Sequence, residues 1–169
     1  MIRIMGVLLL LLGGGLSGWI AGDRNRRRLR ALGELSAGLA LLERELELGG
    51  LPMESVMDRL SEQAAGAAGE LFRSCGQELK KQDRPEFSVL WKRNCQFCME
   101  AGPEAVQALT ELGEILGRWE AGEQITAAER CRCRLEELRA EARQNGRTQN
   151  HLYQMLGLSS GAFLAILLL

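Results

Sequence analysis

The sequence predicts an all-α protein: a six-helix bundle domain flanked by one transmembrane helix at each end. Three observations carry that expectation. Leu, Ala, Glu and Arg dominate, aromatic residues make up only 5% and prolines number 3, a composition that favours helices over strands. Lys and Arg total 21 against 22 Asp and Glu, for a net charge of -1, yet none of these charges falls between Arg3 and Asp23 or after Arg147. Between those ends, apolar residues recur in steps of three and four, the period of a helix face.

The first apolar run, Ile4 to Gly22, holds 19 uncharged residues. At 1.5 Å each they cover about 28 Å, the hydrocarbon thickness of a bilayer. A cleaved signal peptide is the rival reading. Trp19 stands where a small residue is wanted for cleavage after Ala21, and Arg24, Arg26, Arg27, Arg28 and Arg30 follow at once, resisting translocation. Residues 1–22 are therefore expected to be an uncleaved anchor. The arginines would set topology and meet lipid headgroups on the cytosolic side.

Residues 23–151 are expected to form the cytosolic bundle. Leu29, Leu32, Leu35, Leu39, Leu42 and Leu46 mark the stripe of a first helix, continuous with the anchor and ended by Gly49 and Gly50, which readily take the left-handed conformation past a helix end. Pro52 suits the start of the second helix, whose face is Met53, Val56, Met57 and Leu60. After a loosely specified stretch at Ala64 to Gly69, a third helix carries Leu71, Phe72, Cys75 and Leu79. Lys80 to Glu86, with Pro85, reads as a loop. A fourth helix follows with Phe87, Leu90, Trp91 and Cys98, and beyond Gly102 and Pro103 a fifth with Val106, Leu109, Leu112 and Leu116. A long sixth, from about Ile125 to Asn150, carries Ala128, Leu135, Leu138 and Ala142. No stripe is wide enough to be buried alone, so the helices must share one core.

Residues 152–169 are expected to be the second anchor. They contain no charge, and Arg139, Arg143 and Arg147 precede them; both anchors thus place the bundle in the cytosol and both termini outside. Gly14, Gly18 and Gly22 in one run, and Gly157, Gly161 and Ala165 in the other, repeat small residues every four positions. That spacing lets membrane helices approach closely.

Catalytic chemistry is not expected. The single histidine, His151, has no nucleophile and orienting group to complete a triad, and no phosphate-binding glycine loop is present. Glu43, Glu45 and Glu47 are spaced by two, which fans them around a helix; they are read as a solvated face and a candidate partner surface. Cys95 and Cys98, with Cys131, Cys133 and Cys75, invite a zinc or thiol-redox alternative. Against it, Arg130, Arg132 and Arg134 oppose a cation, and the pairs fall in helical patterns. Free thiols in a reducing cytosol are the expectation, with no catalytic residue, metal or cofactor.

Several features together resemble one family over nearly the whole chain. They are the arginine-flanked N-terminal run, the segment Glu45, Leu46, Leu48, Gly49, Gly50, Leu51, Pro52, Met53, the pairs Leu112-Gly113 and Leu116-Gly117, then Gln124, and the ending Tyr153, Leu156, Gly157 and Gly161 to Leu169. The chain resembles stage III sporulation protein AB of endospore-forming bacteria. The resemblance implies a cytosolic helical domain similar to the platform protein of type II secretion and type IV pilus machines. It also implies a place in a channel complex of the mother-cell membrane around the forespore, beside a cytosolic secretion ATPase.

The expected function is accordingly a membrane-anchored scaffold that docks the other stage III components. Candidate contacts are the Glu43, Glu45 and Glu47 face, the segment Leu112, Gly113, Leu116 and Gly117 with Gln124, and the small-residue faces in the membrane. Nucleic acid and small-molecule substrates are not expected partners; membrane lipids are, and pure self-association is the remaining alternative.

Overall fold

In the computed structural model of the chain, the backbone is described for residues 2–81, 85–118 and 120–168, and the side chains for 23–81, 85–118 and 120–145. Among these residues there are six α-helices, one short 310 helix and no strand. The helices are α1 (Ile2–Leu48), α2 (Met53–Gln63), α3 (Gly66–Leu79), α4 (Phe87–Cys95), the 310 helix (Gln96–Ala101), α5 (Pro103–Ile115) and α6 (Ala121–Leu168).

The chain divides into two compact units. One is formed by α1 up to Arg26 and α6 from Glu141 onward; within it the Asn25 side-chain amide donates to the Ala142 carbonyl at 3.3 Å. The predicted anchors and their small-residue faces, Gly14, Gly18, Gly22, Gly157, Gly161 and Ala165, lie outside the residues whose side chains are described. Among the described residues, no helix is long and apolar enough to cross a membrane.

The second unit, Arg27–Ala140, is the bundle. The stripes read from the sequence are its core: Leu32, Leu35, Leu39 and Leu42 of α1, Met57 and Leu60 of α2, Leu71, Phe72 and Cys75 of α3, Leu90 and Trp91 of α4, Leu109 and Leu112 of α5, and Ala128, Leu135 and Leu138 of α6 are all buried. The leucine, methionine and phenylalanine side chains among them leave water on folding, worth about 1.5–3 kcal/mol apiece when fully buried. Trp91 stands at the centre. Its ring lies 6.2 Å from Phe72 and 5.7 Å from Phe87, tilted in both cases, and its indole N–H donates to the Leu109 carbonyl at 2.7 Å, satisfying the one polar atom the ring carries into the core.

The turn after α1 uses Gly49 (φ 62) and Gly50 (φ 79), the left-handed conformation expected there. The structure sets one boundary that the sequence left open and moves two others. The first is the loosely specified stretch Ala64 to Gly69, which is divided by a cap supplied from far away. The Glu34 carboxylate of α1 accepts the Ala67 N–H at 2.9 Å, meeting one of the donors that a helix start leaves open. It sits so close that a Cβ on Gly66 would lie 1.9 Å from it. The second is Cys98, which is not on α4: that helix ends at Cys95, and Cys98 (φ -87, ψ 18) departs from helical geometry within the 310 turn. Cys98 is buried all the same, so an apolar position can belong to the core without belonging to the helix. Third, α6 starts at Ala121, four residues before the predicted Ile125, because the Glu120 carbonyl already accepts the N–H groups of Glu123 and Gln124, and Glu123 in the first turn favours the positive helix end.

Candidate functional site

The three carboxylates expected to form one face separate in the structure. Glu43 accepts from Arg132 of α6 at 2.9 Å, and Arg132 also reaches Glu136 at 3.1 Å. The hydrogen bond and charge of Glu43, aided by Glu136, raise the pKa of the Arg132 guanidinium against its partial desolvation. Ser36 of α1 donates to the same Glu136 at 3.1 Å, so polar groups stitch α1 to α6 along the bundle. Glu45 is buried, 3.5 Å from Arg59 of α2, with its Oε2 lacking a hydrogen bond. Glu47 alone is exposed. Two-residue spacing turns successive side chains by about 200° on a helix, which puts Glu45 on the side of α1 that meets α2, away from Glu43, while Glu47 follows Glu43 one turn on and stays in solvent.

The segment expected to dock a partner is partly enclosed in the bundle, with Gly117 exposed and Gln124 half-buried. Leu112, Gly113 and Leu116 are buried and offer no surface to another protein. Gly113 is a packing site: a Cβ there would lie 2.1 Å from the Trp91 ring. Gln124 is local as well, since its side-chain carbonyl accepts the Gly117 N–H at 3.1 Å and closes the corner between α5 and α6. Leu-Gly pairs and a following glutamine look alike in sequence whether they serve docking or packing. Burial commits Leu112, Gly113 and Leu116 to packing. Beside that corner an open groove is lined by Glu114, Ile115, Arg118, Glu120, Thr126 and Arg130; it holds both signs of charge, and Arg118 is committed to an ion pair with Glu86.

Of the basic cluster, Arg24, Arg26, Arg27 and Arg30 are exposed. Arg28 instead folds onto the bundle, its Nε donating to the Ala101 carbonyl at 3.2 Å and its Nη2 to Glu104 at 3.1 Å. Nothing in the sequence separates Arg28 from its neighbours, because the partners lie more than seventy residues away.

All five cysteines are free thiols; Cys75, Cys95, Cys98 and Cys131 are buried and Cys133 is exposed. Burial away from water pushes the thiol pKa up at Cys75 to about 12, at Cys98 to about 11 and at Cys131 to about 12, and it raises that of Cys95 further. Thiols held neutral in this way are poor nucleophiles and poor metal ligands. Among the described residues no group of three or more His, Cys, Asp or Glu could hold a metal ion.

The described residues are thus all helical, and pairs such as Arg132–Glu43 and Arg28–Glu104 join the helices of the bundle. The chain belongs to the stage III sporulation protein AB family, whose model matches residues 3–169. A solved structure of stage III sporulation protein AB (SpoIIIAB) has the same fold, with a TM-score of 0.63 and 22% identity over 72% of this chain and 97% of that chain. No curated protein matches.

Proposed function

We propose that this protein is a membrane-anchored scaffold subunit of the sporulation-specific, secretion-like complex between mother cell and forespore. It would assemble with the other stage III components and a cytosolic secretion ATPase, and its role is structural, not catalytic. The observation that carries this reading is the family match over residues 3–169, which takes in both apolar ends as well as the bundle. The ends supply the anchors: each is uncharged over a membrane-spanning length and flanked by arginines on the bundle side. The mother-cell membrane is the proposed location, with the bundle cytosolic and both termini outside. Gly14, Gly18 and Gly22, with Gly157, Gly161 and Ala165, are the proposed helix-packing positions within it.

With Leu112, Gly113 and Leu116 enclosed, docking falls to exposed groups such as Glu47. The cysteine-based alternative gains nothing from four buried, neutral thiols. Purification of the tagged full chain from sporulating cells in mild detergent tests the proposal. Recovery of the ATPase and other stage III components is the expected result. Recovery of the chain alone, or only of further copies of itself, would leave self-association in its place.

A further inference from the structure

We infer that the 310 helix Gln96–Ala101 is a second membrane contact, through which Phe97 and Met99 enter the interfacial layer of the bilayer that the ends of the chain span. The inference rests on the anchored reading above. Phe97 is 76% exposed and Met99 59% exposed, a large aromatic and a flexible apolar side chain side by side in a six-residue turn. The exposure is not that of a loosely held loop, since Cys98 and Ala101, between and beside them, are 2% and 0% exposed and fix the turn to the core.

The position of this turn says what would cover it. Arg28 holds it, donating to the Ala101 carbonyl at 3.2 Å and pairing with Glu104 just beyond. Gly102 (φ 101) brings its backbone against that guanidinium, and a Cβ there would meet Arg28 at 3.1 Å. Arg28 lies six positions after Gly22, the end of the first apolar run. As residues of the α1 helix those six rise about 9 Å, and even a fully extended chain of that length spans at most about 21 Å. Arg28, which holds the turn, is therefore joined by a short covalent tether to the end of the first apolar run. Of the further exposed apolar side chains, Val89 stands singly on α4, and Leu48, at 68% exposure with Leu51 beyond it, is twenty residues further along α1 than Arg28, about 30 Å of helix.

Exposed aromatic and apolar side chains within reach of a bilayer partition into its interfacial layer. The exposed charges of the bundle and of the tether suit an anionic one. Arg24, Arg26, Arg30 and Lys92 are exposed, and Arg93 is paired with Glu78. On the acidic side, Glu100 is exposed and Glu104 is neutralised by Arg28. Basic residues near an anionic surface are attracted to it.

The test uses the full chain carrying Cys133→Ser, which leaves the buried thiols, with one added cysteine for an environment-sensitive fluorophore. The label is placed through Gln96→Cys beside the apolar pair, or through Leu48→Cys at the far end. Each protein is reconstituted into vesicles of phosphatidylcholine and phosphatidylglycerol containing a lipid with a nitroxide near its headgroup. Flotation with the vesicles, and quenching several-fold stronger at position 96 than at position 48, are expected. Adding Phe97→Ser and Met99→Ser should then remove most of the quenching at position 96. Flotation with equal quenching at the two positions, or quenching unchanged by the two serines, overturns the inference while the anchors stand. Failure to float overturns the anchored reading and this inference with it.

Discussion

Trp91→Ala is expected to destabilise the bundle by about 3–5 kcal/mol, the range for deleting a large aromatic side chain from a core. Trp91 is fully buried between Phe72 and Phe87, so alanine removes both ring contacts and leaves a cavity. It also removes the indole N–H that bonds the Leu109 carbonyl at 2.7 Å, and with it the polar link from α4 to α5. A domain stable by about 5–15 kcal/mol cannot absorb such a loss unnoticed. Chemical denaturation of the detergent-solubilised full chain, followed by helical circular dichroism, should show the midpoint falling sharply. Trp91→Phe, which keeps most of the ring, should lose less. A midpoint unmoved by Trp91→Ala would mean that the indole does not organise the core.

Gly113→Leu should act from the opposite side of the same contact. A Cβ at position 113 would fall 2.1 Å from one carbon of the indole and 2.8 Å from the next, so the added side chain must displace a ring already packed against Phe72 and Phe87. Overpacking of this kind costs about 1–3 kcal/mol. The two substitutions should not add: alanine at 91 vacates the volume that leucine at 113 needs, and contacting sites couple by about 0.5–3 kcal/mol. The double variant is expected to be less destabilised than the sum of the singles. Simple additivity in the same denaturation experiment would contradict the packing role of Gly113.

How far this contact could be read from the sequence marks the reach of pattern reasoning. Spacing alone put Trp91 on the buried face of α4 and Leu109 and Leu112 on that of α5, because both are set by local helical period. That Gly113 accommodates Trp91 lay beyond it, since two helices meet there and neither segment encodes the other's position. In the Leu112-Gly113 and Leu116-Gly117 pairs the leucines were legible as core from their spacing, though the close packing of Gly113 was not. Glu34 and Arg28 fell outside the pattern for the same reason: each acts on a segment far away, at Ala67 and at Ala101. Charge asymmetry along the chain, by contrast, is a property of the sequence itself. The proposed orientation of the ends rests on it alone.

Cys133 offers the most direct test of that orientation, being the one exposed thiol of the five. A membrane-impermeant maleimide added to intact sporulating cells should leave the protein unlabelled. Permeabilised cells should show strong labelling that Cys133→Ser abolishes. Modification of Cys133 in intact cells would place the bundle outside the cytosol and contradict an anchored scaffold that meets an ATPase there.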